Sequence, residues 1–142
     1  MAQTQDVLAA LDIGEARIGV AITPPGVSIA QPFSTIQNDD TVIKSIQDVI
    51  DSKQISRLVI GNPRNLQGHD TKQTKYVADF VKTLQKHVAI PIHMQDEALT
   101  SVKAEEELKN RNMPYEKGDI DALAATYILQ DYIEDHHKVA HA

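Results

Sequence analysis

Apolar positions along this chain follow two rhythms. Residues 7–13 form a short apolar run of the kind that makes a buried strand, and Gly14, Glu15 and Ala16 form a tight turn into a second such run at 17–23. Pro24, Pro25 and Gly26 break the chain before a third extended piece at 27–36, which completes an antiparallel meander. The rhythm then lengthens. Asn38 or Asp39 is a suitable cap, and Ile43, Ile46 and Ile50 lay one stripe on a helix that ends near Lys53. Residues 57–61 are apolar and β-branched, as expected of a central parallel strand reached by a helical crossover. A polar loop at 62–70 leads to a second helix marked by Val77, Phe80, Val81 and Leu84, and residues 90–95 supply the last strand. Thr100 can cap a helix containing Val102 and Leu108. After Pro114 and Gly118 a final stripe follows at Ile120, Leu123, Ala124, Tyr127 and Ile128, and the tail from His136 has no period and is expected to fray. The sum is an α/β fold: a mixed five-stranded sheet, a three-strand meander plus two parallel strands, with helices on its faces.

At 142 residues the chain fits one domain over 1–142, with a tail after about residue 135, and shows no internal repeat or linker. No apolar run approaches the length that crosses a bilayer, and the start lacks the basic, then apolar, pattern of a signal peptide, so the expectation is a cytoplasmic protein with no membrane role. With no cysteine, any metal must be held by oxygen or imidazole, which makes magnesium or manganese the default. A net charge of -6 argues against a nonspecific nucleic-acid coat. It leaves room for a carboxylate site that a divalent cation neutralises.

Three acids sit at the ends of apolar segments: Asp12 in the first strand, Glu97 after the last strand and Asp121 at the start of the final stripe. Each has an ordinary structural use, in orienting a turn, ending a strand in solvent or favouring a helix start. Their joint placement favours a metal centre at the carboxyl edge of the sheet, where divalent ions shared by several carboxylates can drive phosphodiester hydrolysis. Asp-x-Gly also begins actin-like ATPases, but those need two such domains and this chain has room for one. Substrate contacts are assigned to Arg64, Lys72, Asn62 and Asn65 around the polar loop, and to Arg17 at the start of the second strand. Solvated surface is the competing account of each. His69 is a lone loop histidine, and the basic residues at 103–117 are interrupted by Glu105, Glu106 and Glu107. With two Phe, four Tyr and no Trp, the chain lacks a platform for stacking bases.

Four segments in order resemble the YqgF/RuvX family of Holliday junction resolvases and pre-16S ribosomal RNA nucleases. They are Leu11-Asp12-Ile13-Gly14 with Arg17-Ile18-Gly19-Val20-Ala21, the segment at 59–68, Asp96-Glu97-Ala98-Leu99-Thr100, and Asp121-Ala122-Leu123-Ala124-Ala125. The resemblance implies a ribonuclease H-like fold, catalytic and metal-binding roles for Asp12, Glu97 and Asp121, and magnesium or manganese as cofactor. It also implies pre-16S ribosomal RNA as substrate, within a ribosomal precursor particle, with branched DNA as the alternative. The chain departs from the family's usual pattern at Glu15 and Ala16, where Thr and a basic residue are common, at Asn62 in place of Leu, and at Ala98 in place of Arg. No acid is lost by these changes. A noncatalytic nucleic-acid-binding factor in ribosome assembly is the reading from a different class. Monomer and homodimer both stay open, although a resolvase that cuts a junction symmetrically needs two sites.

Overall fold

A computed structural model describes residues 6–63, 71–97, 100–112 and 114–140, with backbone alone for 100–102 and 137–140. Five strands, β1 (Leu8–Ile13), β2 (Arg17–Ile22), β3 (Gln31–Gln37), β4 (Arg57–Pro63) and β5 (Ile92–Glu97), form one sheet in the order β3-β2-β1-β4-β5. β1, β2 and β3 pair antiparallel, whereas β4 and β5 run parallel to β1, so the sheet is mixed as expected. Helices α1 (Val42–Lys53) and α2 (Lys72–Gln85) cross over to β4 and β5, and α3 (Thr100–Asn110) and α4 (Lys117–Ala140) end the chain. No helix among the described residues is long and apolar enough to cross a membrane.

The alternation of side chains across each strand divides the sheet into two unlike faces. Leu11, Ile13, Ile18, Val20, Leu58 and Ile60 pack with Ile46 of α1 and Val77, Val81 and Leu84 of α2. The other face carries Ala10, Ala21 and Val59 against Ala125, Ile128, Leu129 and Tyr132 of α4. α3 lies outside α4, joined through Ala104, Leu108, Leu123 and Ala124 and through a hydrogen bond from the Tyr127 hydroxyl to Glu107. Burial and this bond raise the Tyr127 phenol to about 12.

Small residues let α4 come close. A Cβ on Gly19 of β2 would stand 1.9 Å from the backbone oxygen of Asp121, and one on Gly61 would stand 2.5 Å from the Ile128 side chain. Glycine at these positions is therefore a packing requirement.

Element boundaries depart from the sequence expectation where pairing overrides local pattern. The third strand begins at Gln31 rather than 27, because its partner β2 ends at Ile22, opposite Gln31. Val27 instead closes a turn onto Pro24, and Val27 and Ile29 stay exposed. β4 runs through Asn62 and Pro63, expected in a loop, since β5 pairs with it there; β5 itself lies two residues later than expected and ends on Glu97. Thr41, not Asn38 or Asp39, is the first cap position: Asp39 accepts from the backbone N–H and hydroxyl of Thr41. Asn38 instead donates to the Gly14 carbonyl and the Tyr76 hydroxyl. α4 begins at Lys117, taking in Gly118, and its helical backbone continues past His136 to Ala140.

Candidate active site

Asp12 is the fifth residue of β1, on the face that α4 covers. Its register partner on β2 is Gly19, and over Gly19 lies the Asp121 backbone. One glycine thus brings together two acids that are far apart in sequence. Their charges repel: burial first, and the Asp121 charge second, raise the Asp12 carboxyl from 3.8 to about 7. The end of β1 is braced by Gln73, which donates to the Ile13 carbonyl at 2.9 Å, and by Asn38 on the Gly14 carbonyl at 2.8 Å.

Arg17 answers part of the negative charge. Its Nε lies 2.6 Å from Asp121 Oδ2, in an ion pair whose side chains keep 31% and 19% of their surface exposed. The guanidinium thus sits at the rim of the acid pair, still open to solvent on one side.

Glu97 stands apart from this pair. It ends β5, beyond β4 in the sheet, and its interaction partners are on another part of α4 and on α3. Burial, then a hydrogen bond and charge repulsion from Asp131, raise it from 4.5 to about 8, against the pull of Lys103 and with a further push from Asp135. The two carboxyls thus share a hydrogen bond that favours a proton on Glu97. Asp12 and Asp121 supply hard oxygen donors suited to magnesium or manganese. Among the described residues, no group of three His, Asp or Glu side chains lies close enough to hold a metal ion.

The expected substrate contacts divide in the same way. Arg17 is at the acid pair, and Lys72 is exposed at the start of α2, beside Gln73 and therefore near the end of β1. The Asn62 amide donates to Asp96 across the β4–β5 pair at 2.9 Å, so one of its hydrogens serves the sheet. Arg64, Asn65, His69 and Ala98, with the capping side chain of Thr100, lie outside the described residues. Sequence reasoning missed Gly19 and Asp131. A glycine inside a strand was a usable signal of close backbone approach, whereas Asp131 looked like any acid on the polar flank of a helix.

Known proteins add an independent line. The model of the RuvX family, described as Holliday junction resolvase, matches residues 6–135. A "Putative pre-16S rRNA nuclease" from Sulfurihydrogenibium sp. is 40% identical over 126 residues, covering 87% of each chain. A protein of the same name from Chloroflexus aurantiacus is 39% identical, covering 90% of this chain and 86% of its own. Among solved structures, Thermus thermophilus RuvC matches with a TM-score of 0.54, and RuvC of that organism in complex with Holliday junction substrate with 0.57. Both are 13% identical over 93% of this chain and 96% of theirs, which speaks to the fold alone, and that fold is ribonuclease H-like.

Proposed function

The chain belongs to the RuvX family, and from that premise we propose that it is a divalent-metal-dependent endonuclease that trims pre-16S ribosomal RNA. The observation that carries this reading is the pairing of Asp12 with Asp121 at the carboxyl edge of the sheet, under a helix that glycine lets approach. Asp12 and Asp121 would hold magnesium or manganese, and Glu97, which stands apart from them in this structure, would have to close on the pair to serve as third ligand. The bound ion supplies Lewis-acid stabilisation of the charge that develops on the phosphodiester. Arg17 fixes Asp121 through Oδ2 and presents its exposed edge to a substrate phosphate. Lys72, Arg64, Asn62 and Asn65 extend the contact along the nucleic acid, and the protein works in the cytoplasm on a ribosomal precursor.

Relatives at about 40% identity carry the RNA-nuclease name, which favours RNA. The family description favours a second substrate, the four-way DNA junction. Incubating the protein and its Asp12→Asn variant with precursor 16S RNA and with a four-way junction, each with manganese, separates the two. Cutting of the RNA by the parent alone is the expected result. Cutting of the junction alone moves the activity to branched DNA, and cutting of neither, or equal cutting by both proteins, overturns the nuclease reading in favour of a noncatalytic binding role.

A further inference from the structure

At the end of the sheet opposite Asp12, basic groups gather around one tyrosine. Arg57, the first residue of β4, donates from Nη1 to the Tyr132 hydroxyl at 3.1 Å. The Tyr132 ring, 2% exposed, lies between two imidazoles, with centroid distances of 5.8 Å to His93 and 3.9 Å to His136. A cavity of about 280 Å³ opens beside them, and its polar lining comes from Arg57, Tyr132, His136, Ser28, Thr23 and Asp6.

The donors in this cavity exceed the acceptors. Tyr132 accepts from Arg57, so its own proton remains to be given, and no acceptor for it occurs among the described residues. Arg57 carries five N–H donors and uses one of them on Tyr132. His136 Nδ1 lies 2.9 Å from the Tyr132 carbonyl, which makes it the N–H donor and leaves Nε2 for another partner. No ion pair satisfies Arg57 among the described residues, and Asp6 is the one carboxylate in the lining, at its exposed rim. His93 is held below the ordinary histidine range by burial first and then by the charges of Arg57 and His136. Arg57 is thus the one fixed positive charge among the described residues of the lining, faced there only by Asp6 at the exposed rim.

We propose that this cavity is a second anion site that takes a phosphate group, received by the Arg57 guanidinium, the Tyr132 hydroxyl proton and, in its imidazolium form, His136 Nε2. A phosphate presents several acceptor oxygens to converging donors, and arginine is the side chain best shaped to receive them. The group can come from the backbone of the nucleic acid or from a free phosphate. Eleven residues of α4 separate Tyr132 from Asp121, about 16 Å of helix. This is about five phosphate steps along one strand of a DNA duplex. The backbone source rests on the proposed nuclease activity; phosphate binding itself does not.

The test reads the rings of His93 and His136 by nitrogen-correlated NMR while inorganic phosphate, and separately an oligoribonucleotide, is added to metal-free Asp12→Asn protein, which cannot cut. The same titrations are made with Arg57→Gln and Tyr132→Phe added, the second keeping the ring and removing the hydroxyl, both the proton it gives and the oxygen that accepts from Arg57. Both rings are expected to shift, His93 is expected to titrate at higher pH when the site is filled, and Tyr132→Phe is expected to weaken binding about tenfold. A response to phosphate assigns a free-phosphate site, and a response to the oligoribonucleotide alone assigns a backbone contact. No response to either, or binding by both variants as tight as by the Asp12→Asn protein alone, overturns the proposal whether or not the protein proves to be a nuclease.

Discussion

The two faces of the sheet obey different rules. Toward α1 and α2 the strands present Leu11, Ile13, Ile18, Val20, Leu58 and Ile60, side chains that fill space and exclude water. Toward α4 they present Ala10, Asp12, Gly19, Ala21 and Gly61, with Val59 and the half-buried Leu8 as larger aliphatic residues. The first face gives up no volume to chemistry. The second gives up volume so that a helix backbone can lie on β2, and the closeness that results sets Asp121 beside Asp12. A carboxyl raised to about 7 costs stability at neutral pH, so the bulky face must supply what the thin face gives away.

Four substitutions would break or sharpen this contrast. Asp12→Asn has the largest expected effect: cleavage falls by at least about a thousandfold, while urea denaturation at pH 7 shows a protein about 1–3 kcal/mol more stable. The sign follows from the raised folded value. The contribution of Asp12 is present in full below 3.8, is lost as pH climbs through about 7, and so disappears from the pH profile of the variant. Leu58→Ala, on the bulky face, should lower stability by about 2–5 kcal/mol and leave the Asp12 titration where it was. A moved titration would mean that the faces are coupled.

Gly19→Ala reverses that pattern. The new Cβ meets Asp121 backbone, α4 must lift, and a loss of about 1–3 kcal/mol should come with a fall in the Asp12 value as water and distance intervene. Arg17→Gln is the smallest. Its partly exposed ion pair contributes about 0.5 kcal/mol, yet removing the guanidinium leaves the Asp121 charge less compensated, so Asp12 should titrate higher.

Much of the bulky face was legible in the sequence, because Ile43, Ile46 and Ile50, or Val77, Val81 and Leu84, repeat at a helical period and need no partner to be recognised. Strand ends were less legible. Val27 and Ile29 have the composition of a strand and lack a neighbour to pair with, whereas Asn62 and Pro63 have the composition of a loop and are drawn into β4 by β5. Of the site, the Asp12 and Asp121 pairing was anticipated from segment ends, and Arg17 was singled out for phosphate though its ion pair with Asp121 was not foreseen. The separation of Glu97, its contact with Asp131 and the approach over Gly19 depend on how far α4 tilts across the sheet, which no local pattern encodes.

The claim that Asp12 and Asp121 share one site is tested most directly by carbon-detected NMR titration of the Asp12 carboxyl, without metal, in the parent and in Asp121→Asn. The parent should titrate near 7, and the variant lower but still above the ordinary aspartate value, because burial is the larger cause and persists. An Asp12 that titrates near 3.8 in the parent, or at one value in both proteins, would contradict the account.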